Sequence, residues 1–244
     1  MKKTVVITGS SSGIGAAIAR EFAGNENNIV INYKSNKTAA LELLDEVRSK
    51  GSQAIAIGAD VSDFAQAENL INSAIEQFGR VDVLVNNAGI SRRELFTDIT
   101  PEAWEEIFKV NVHSAFYCSN LAVKDMLKRH FGKIINISSV WGITGASCEV
   151  HYSSTKAALI GLTKALAKEL GPSNITVNCV APGVIKTKMN EFLSKEEIDD
   201  LNECTPIGRM GEPFEVAKLV KFLASSEADF ITGQVISPNG GFLI

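Results

Sequence analysis

The sequence predicts one α/β domain: a doubly wound parallel sheet of about seven strands with helices on both faces. Three observations predict it. Short apolar, β-branched runs alternate with longer helical patterns along all 244 residues, and strands separated by helices pair in parallel through right-handed crossovers. The strand runs are continuously apolar rather than alternating, as strands covered on both faces must be. A chain of this length with 45% hydrophobic residues suffices for one sizeable core, and the spread of Phe, Ile, Val and Leu argues against disorder.

The elements follow in order. "TVVITG" (4–9) is the first strand, and in "GIGAAIAREFAG" Ile14, Ile18 and Phe22 fall on one helical face. "NIVINYK" (28–34) is a strand, followed by the helix "TAALELLDEVRSKG", closed by Gly51. "QAIAIGADV" is a strand, "DFAQAENLINSAIEQFG" a helix, and "VDVLVNNAG" a strand running into a turn. Thr100 caps the next helix and Pro101 takes its first position; the pattern "TPEAWEEIFKVNVHSAFYCSNLAVKDMLKR" reads as one long amphipathic helix. "GKIINISSV" is a strand, and "EVHYSSTKAALIGLTKALAKELGP" a helix stopped at Gly171-Pro172. "ITVNCVAPG", the helix "PFEVAKLVKFLAS" and a last strand "GQVISPNGG" complete the chain, with no internal repeat or linker.

Composition narrows the function. A net charge of −4 does not favour a nucleic-acid partner. The start, "MKKTVVITGS", has too short an apolar run for a signal peptide, and no stretch reaches the roughly 18 apolar residues of a membrane span. Cys118, Cys148, Cys179 and Cys204 have no zinc-ligand spacing, nor have His113, His130 and His151. No metal is expected, and reduced thiols imply a cytoplasmic protein.

Every unusual segment comes directly after a strand: "GSSSGIG", "NYKSN", "ADV", "NNAG", "SSVWG" and "APGVIKT". In a doubly wound sheet the carboxyl ends of the strands form the ligand crevice, so these segments share it. "TGSSSGIG" (8–15) places Gly9, Gly13 and Gly15 between a strand and a helix. Such glycines permit a tight turn and close approach to a pyrophosphate, and the helix N-terminus supplies free N–H groups. After the second strand stand Asn32-Tyr33-Lys34-Ser35, with no acid to repel a 2′-phosphate. Lys34 can pair with that phosphate, which favours NADP(H) over NAD(H); its alternative is a solvated surface lysine. Asp60 either accepts from an adenine amino group or caps the following helix.

Tyr152 and Lys156 stand four apart, on one face of a helix. A phenol is a poor proton donor and acceptor near neutral pH, and a nearby cation favours its ionised form. The pair therefore suits proton transfer to a carbonyl oxygen.

Taken together, "TGSSSGIG", "NNAG" (86–89), "KVN" ending at Asn111, "SSV" with Ser139, "HYSSTK" and "APG" (181–183) resemble the short-chain dehydrogenase/reductase family in order and spacing, over essentially the whole chain. The resemblance implies a Rossmann-type fold, with residues 1–244 as a single catalytic domain. It implies a catalytic tetrad of Asn111, Ser139, Tyr152 and Lys156. Tyr152 would donate the proton, and Lys156 would also hold the nicotinamide ribose. Ser139 would bind the substrate oxygen, and Asn111 would hold a relay water. Cofactor contacts would come from Gly9, Ser11, Ser12, Gly13, Ile14 and Gly15, then from Asn32, Tyr33, Lys34, Asp60 and Val61. Asn87, Ala88 and Gly89 would lie beside the cofactor, with Tyr152 and Lys156; Pro182, Gly183, Ile185 and Thr187 would meet its carboxamide end. The polar stretch 188–206, read as irregular, would be a mobile lid over the substrate.

The segment from "PIGRMGEPFEV" to "NGG" most resembles bacterial β-ketoacyl-acyl-carrier-protein reductases. That implies NADPH-dependent reduction of a 3-oxoacyl thioester in fatty-acid synthesis, with acyl carrier protein as partner and Lys128 and Arg129 as docking candidates. Pro172-Ser173-Asn174 stand where many such reductases carry Arg. "WGITGASCEVHYS" resembles a subgroup that reduces an aminopentanone group on elongation factor P. Trp141, Cys148 and Glu149, with Ser139, would then line the substrate pocket, and Glu149 would meet an amine. Sugar dehydrogenases of the family are a further alternative, and an NADP(H)-binding sensor on the same fold is the non-enzyme one. The family resemblance implies a homotetramer, built on the long helices and the apolar end "GGFLI".

Overall fold

A computed structural model of the chain describes residues 2–191 and 193–244. The first half alternates as expected: β1 (Lys3–Ile7), α1 (Gly13–Phe22), β2 (Asn27–Tyr33), α2 (Lys37–Ser49), β3 (Gln53–Gly58), α3 (Phe64–Phe78) and β4 (Val83–Asn86). The second half comprises α4 (Pro101–Phe108), α5 (Ser114–Arg129), β5 (Gly132–Ile137), α6 (Trp141–Thr144), α7 (Val150–Leu170), β6 (Ile175–Val180), α8 (Lys195–Glu203), α9 (Pro213–Leu223) and β7 (Val235–Ile236). All seven strands are parallel, in the order β3-β2-β1-β4-β5-β6-β7. One apolar layer lies between the sheet and α1, α2 and α9, and a second between the sheet and α3, α5 and α7. The chain winds outward from β1 in one direction and from β4 in the other. The loops after these two strands therefore part and open a crevice at their carboxyl ends.

Local chemistry sets the element boundaries. Asn36 caps α2 by accepting from the Ala39 N–H, and Asp63 caps α3 by accepting from the Gln66 N–H. Gly79 closes α3 at φ +79°, a left-handed conformation that glycine adopts without strain. Thr100 and Pro101 open α4 as the sequence predicts.

Three expectations need correction. The long helix expected over 100–129 is two helices joined by a π turn at Lys109–His113, where the Ser114 N–H bonds back to the Lys109 carbonyl. The stretch 188–206 is not irregular: it holds α8, opened by a reciprocal Ser194/Glu197 capping box; Phe192 within it lies outside the described residues. The last strand is only two residues long, Val235 and Ile236 pairing with Cys179 and Val180.

Asp82 organises the amino end of the sheet. It is fully buried, accepts from the Thr4 N–H (2.9 Å), and takes Arg80 Nε (2.8 Å) and Arg129 Nη1 (3.0 Å). Arg129 also donates to the Val81 carbonyl and to Asp125. Arg129, and Lys128 beside it, thus lie at the end of the strands away from the crevice, because α5 runs back to start β5. Removing one member of a buried ionic cluster leaves its partners desolvated. Asp82→Ala is expected to lower the unfolding free energy by about 3 kcal/mol, read as a reduced denaturant midpoint.

Candidate active site

The loops after β1 and β4 are tied together at the crevice floor. Thr8 Oγ1 accepts from the N–H groups of Asn87 and Ala88 (both 3.0 Å), and Asn87 Nδ2 donates to the carbonyls of Thr8 and Gly9. Asn32 ties in the neighbouring strands: its Oδ1 accepts from the Gly9 N–H (2.9 Å) and its Nδ2 donates to the Ala59 carbonyl (3.0 Å). Gly9 has φ +60°, and a Cβ there would lie 2.9 Å from Ala88 Cα. Gly13 has φ +56° and faces Thr187 across the cleft. Ser12, the N-cap of α1, makes no side-chain cap bond. The first turn of α1 therefore presents free N–H groups into a glycine-lined cradle, which fits a dinucleotide pyrophosphate.

The cleft measures about 740 Å³. It is lined by Gly9, Ser11, Ser12, Gly13, Ile14, Asn32, Lys34, Asp60, Val61, Asn87, Ala88, Gly89, Tyr152, Lys156 and Thr187, as expected. A smaller adjoining cavity of about 80 Å³ brings together Ser139, Trp141, Glu149, Tyr152, Pro182, Gly183, Ile185 and Thr187. Tyr152, Glu149, Ser138 and Ser91 line both spaces, so they mark the junction.

Four expected residues fall outside these cavities. Gly15 packs behind the turn, where a Cβ would meet Asn87 Nδ2 at 2.6 Å and the Gly9 carbonyl at 2.7 Å. The Tyr33 ring lies over Gly58 on the neighbouring strand, where that glycine leaves room for it. Cys148 takes φ +59° and its carbonyl accepts from the Glu94 N–H, so it turns the chain into α7 rather than lining the pocket. Asn111 sits behind Gly89 on the π turn, and its side chain is already engaged. Oδ1 accepts from the Ile90 N–H (2.8 Å), while Nδ2 donates to the Ile90 carbonyl (2.9 Å) and Thr155 Oγ1 (3.0 Å). Asn111 therefore clamps the loop after β4 against α7.

The pair on α7 is buried, with Tyr152 8% and Lys156 4% exposed. Lys156 Nζ donates to the Ile137 carbonyl (2.9 Å) and lies 5.5 Å from the Tyr152 ring centre. Ser138 Oγ donates to the Lys156 carbonyl (2.8 Å), fixing α7 against β5. Burial lowers the Lys156 ammonium to about 8. Burial also raises the Tyr152 phenol, the Glu149 charge adds to the rise, and a hydrogen bond with Ser139 opposes it. The expected depression of the phenol by Lys156 is thus not what this arrangement produces: desolvation outweighs a cation turned toward a backbone carbonyl.

At the adenosine end Lys34 and Asp60 form an ion pair at 2.7 Å. Burial pushes the Asp60 carboxyl up, but hydrogen bonds from Lys34 and Ser62 reverse this and hold it below its ordinary value. Asp60 does not cap α3, since Asp63 does. Sequence reasoning missed Thr8, Ser91, Ser138 and the Ile137 carbonyl. Only Thr8 and Ser138 carried a signal, as members of the quoted motifs; the others act through the backbone or through a contact distant in sequence. Among the described residues, no group of three or more His, Cys, Asp or Glu is placed to hold a metal, and no helix is long and apolar enough to cross a membrane.

Because the Gly9 conformation is left-handed and abuts backbone, Gly9→Ala is expected to cost about 2 kcal/mol and to weaken dinucleotide binding. Thermal melting with and without the dinucleotide reads both effects.

A family model described as enoyl-(acyl carrier protein) reductase matches residues 9–243. The chain is 41% identical over 241 residues to the 3-oxoacyl-[acyl-carrier-protein] reductase of Staphylococcus aureus, covering 99% of this chain and 98% of that protein. It is 43% identical over 244 residues to that of Aquifex aeolicus, covering 98% and 96%. Among solved structures, a doubly substituted short-chain dehydrogenase/reductase of Serratia marcescens superposes with a TM-score of 0.93 at 35% identity, covering 98% of this chain and 97% of that one. With the parallel sheet, the glycine cradle and the buried Tyr152–Lys156 pair, these likenesses lead to one conclusion: the chain belongs to the short-chain dehydrogenase/reductase family, oxidoreductases of CH–OH and C=O groups that work with a nicotinamide cofactor.

Proposed function

We propose that the chain reduces a 3-oxoacyl group carried on an acyl carrier protein to the 3-hydroxyacyl group, with NADPH, in fatty-acid synthesis. The observation that carries the ketone reduction is the buried Tyr152 where the two cavities meet, with Ser139 lining the smaller of them. The names of the curated relatives support the acyl substrate.

The nicotinamide cofactor, held by the glycine cradle, supplies the hydride. The chain's own residues manage the oxygen. Ser139 Oγ, which also accepts from the Trp141 N–H (3.2 Å), donates to the ketone oxygen as charge develops on it. The Tyr152 hydroxyl gives that oxygen a proton. Lys156 would hold the cofactor ribose and, turned from the Ile137 carbonyl, would steady the phenolate left behind. Asn111 keeps Ile90 and α7 in register, so the donor stays in line with the cleft. The segment with α8 is the lid, and the Arg93–Glu197 ion pair links it to the loop after β4.

Lys34 stands at the end of β2 with no acid between positions 32 and 35, which supports the 2′-phosphate of NADPH. To reach that phosphate it must exchange its pairing with Asp60. Carrier docking falls to cations on the cleft side, Arg92 and Arg93, rather than to Lys128 and Arg129. A cytoplasmic, homotetrameric enzyme fits this reading. Its support is the four free thiols and the exposed rings of Phe64 and Phe116, which pack on the half-buried Tyr117 between α3 and α5.

A second reading, the aminopentanone group on elongation factor P, is favoured by Glu149. This carboxylate lines both cavities and makes no ion pair among the described residues, so it suits a ketone that bears an ammonium.

The test is NADPH oxidation with acetoacetyl thioester and with an amino ketone. Turnover of the thioester that falls roughly 100-fold or more in Tyr152→Phe, with NADPH binding retained, supports the first reading. Turnover of the amino ketone alone supports the second. Lys34→Ala is expected to weaken NADPH binding on the order of tenfold and to leave NADH binding near wild type, read by cofactor fluorescence titration.

A further inference from the structure

Phe242 is the one aromatic residue in the segment after β7, and its ring lies edge-on to Trp141. The ring centres are 5.5 Å apart and the planes stand at 83°, a favoured aromatic arrangement. Trp141 belongs to the site. It lines the smaller cavity with Ser139, Tyr152, Pro182 and Gly183, and its N–H donates to Ser139 Oγ at 3.2 Å. Yet α6, which carries Trp141, is a single turn of four residues with Ile143 exposed on it. One turn is too short to hold a side chain by its own hydrogen bonding. The support of the indole must come from outside α6, and Phe242 is the ring that backs it.

Phe242 is itself firmly seated. Ser237 Oγ donates to the Ala181 carbonyl (2.6 Å), and the Gly183 N–H donates to the Pro238 carbonyl (3.1 Å), so the segment is bound to the loop after β6. The Asn239 side chain closes the turn from within. Its Oδ1 accepts from the Gly241 N–H (2.8 Å), and its Nδ2 donates to Ser237 Oγ and to the Leu243 carbonyl (both 2.9 Å). The Phe242 N–H donates to the Asn239 carbonyl (3.2 Å). On the other flank the Ile207 N–H donates to the Gly240 carbonyl (3.1 Å), just past the lid stretch 188–206. A Cβ at Gly240 would stand 2.7 Å from Thr205 Cγ2, so the turn and the lid exit lie in close contact.

We propose that Phe242 is a positioning residue for the ketone: it holds the Trp141 indole as a fixed wall of the smaller cavity, and the site thereby selects a short chain on the ketone over a long one. The cavity measures only about 80 Å³. A close-packed wall yields little, so added methylenes meet it as steric exclusion. With the Phe242 ring removed, the indole gains the space that the ring filled, and the cavity lengthens toward the segment after β7. This inference rests on the 3-oxoacyl reading for its substrates and deepens it by naming chain length as the property selected. One of its readouts needs no substrate.

The chain has two tryptophans, Trp104 and Trp141, so Trp104→Phe leaves Trp141 as the sole indole emitter. In that background Phe242→Ala is expected to shift the emission to longer wavelength and to increase its quenching by acrylamide. In the otherwise unaltered enzyme, kcat/KM is measured with 3-oxobutanoyl and 3-oxooctanoyl thioesters. Phe242→Ala is expected to move their ratio about tenfold toward the longer chain, through KM rather than kcat, with NADPH binding unchanged. Phe242→Tyr restores a ring and is expected to keep the wild-type ratio and emission. Ile244→Ala alters a fully exposed neighbour and is expected to match wild type. If Phe242→Ala does not fold, as circular dichroism would show, Phe242→Leu takes its place, with a smaller shift in the same direction. An unchanged ratio in the folded variant overturns the proposal. So does unchanged Trp141 emission, or an equal shift of the ratio in Ile244→Ala. If the wild type binds NADPH but reduces neither thioester, the 3-oxoacyl reading fails instead, and the Trp141 emission alone decides whether Phe242 holds the wall.

Discussion

The hydrogen bonds that join the loop after β1 to the loop after β4 carry most of the functional architecture. Thr8 and Asn87 bridge two strands whose chains depart in opposite directions, at the one place in the sheet where the connections diverge. Without that bridge the glycine turn and the "NNAG" turn would be two separate surface loops. With it, Gly9 is pressed against Ala88, α1 aims its free N–H groups along the crevice, and Gly89 comes within reach of Lys156 and Asn111. Every later feature of the site is placed relative to this seam. β5 and β6 add Ser139 and the 182–187 segment on one side, while β2 and β3 add Lys34 and Asp60 on the other.

The chemistry of the pair on α7 depends on burial more than on the pair itself. Both groups are desolvated in the same pocket, and desolvation moves each toward its neutral form: the ammonium down, the phenol up. The cation that would stabilise a phenolate is tethered to the Ile137 carbonyl, and the charge felt at the phenol is that of Glu149. In this state the site favours a protonated tyrosine and a titratable lysine. The balance shifts only when something rearranges Lys156.

The sequence was informative wherever one residue type answers one local demand. Thr100-Pro101 marked a helix start, and Gly51 and Gly171-Pro172 marked two ends, because a cap, a positive φ or a proline restricts the choice of residue. The apolar strand runs gave the parallel sheet for the same reason. The motifs that follow the strands located most of the cleft. What stayed hidden depends on long-range geometry. Nothing local distinguishes Asn32 as the staple between three strand ends, or Ser91 as the partner of Glu149 at a separation of 58 positions. Tyr33 is polar at its tip and adjacent to Asn32, but alternation along β2 turns it to the other face, over Gly58. Arg129 and Lys128 looked suitable for docking until the direction of α5 placed them at the far end of the sheet.

The π turn at Lys109–His113 has a geometric consequence of its own. The buried positions 103, 107, 111 and 115 recur every four residues, whereas a regular α-helix overshoots by roughly 40° at each such step. Three steps would carry the stripe about a third of the way around the helix axis. The wider turn absorbs part of that drift, so Ile107 and Cys118 both reach the interior although they belong to separately wound segments. One surplus residue thus acts as a phase correction between α4, which packs on α7, and α5, which packs on α3. Asn111 sits on that correction, so the aim of its amide is tied to residue count rather than residue identity. Chain length between Pro101 and Arg129 is therefore under tighter constraint than most of the side chains within it.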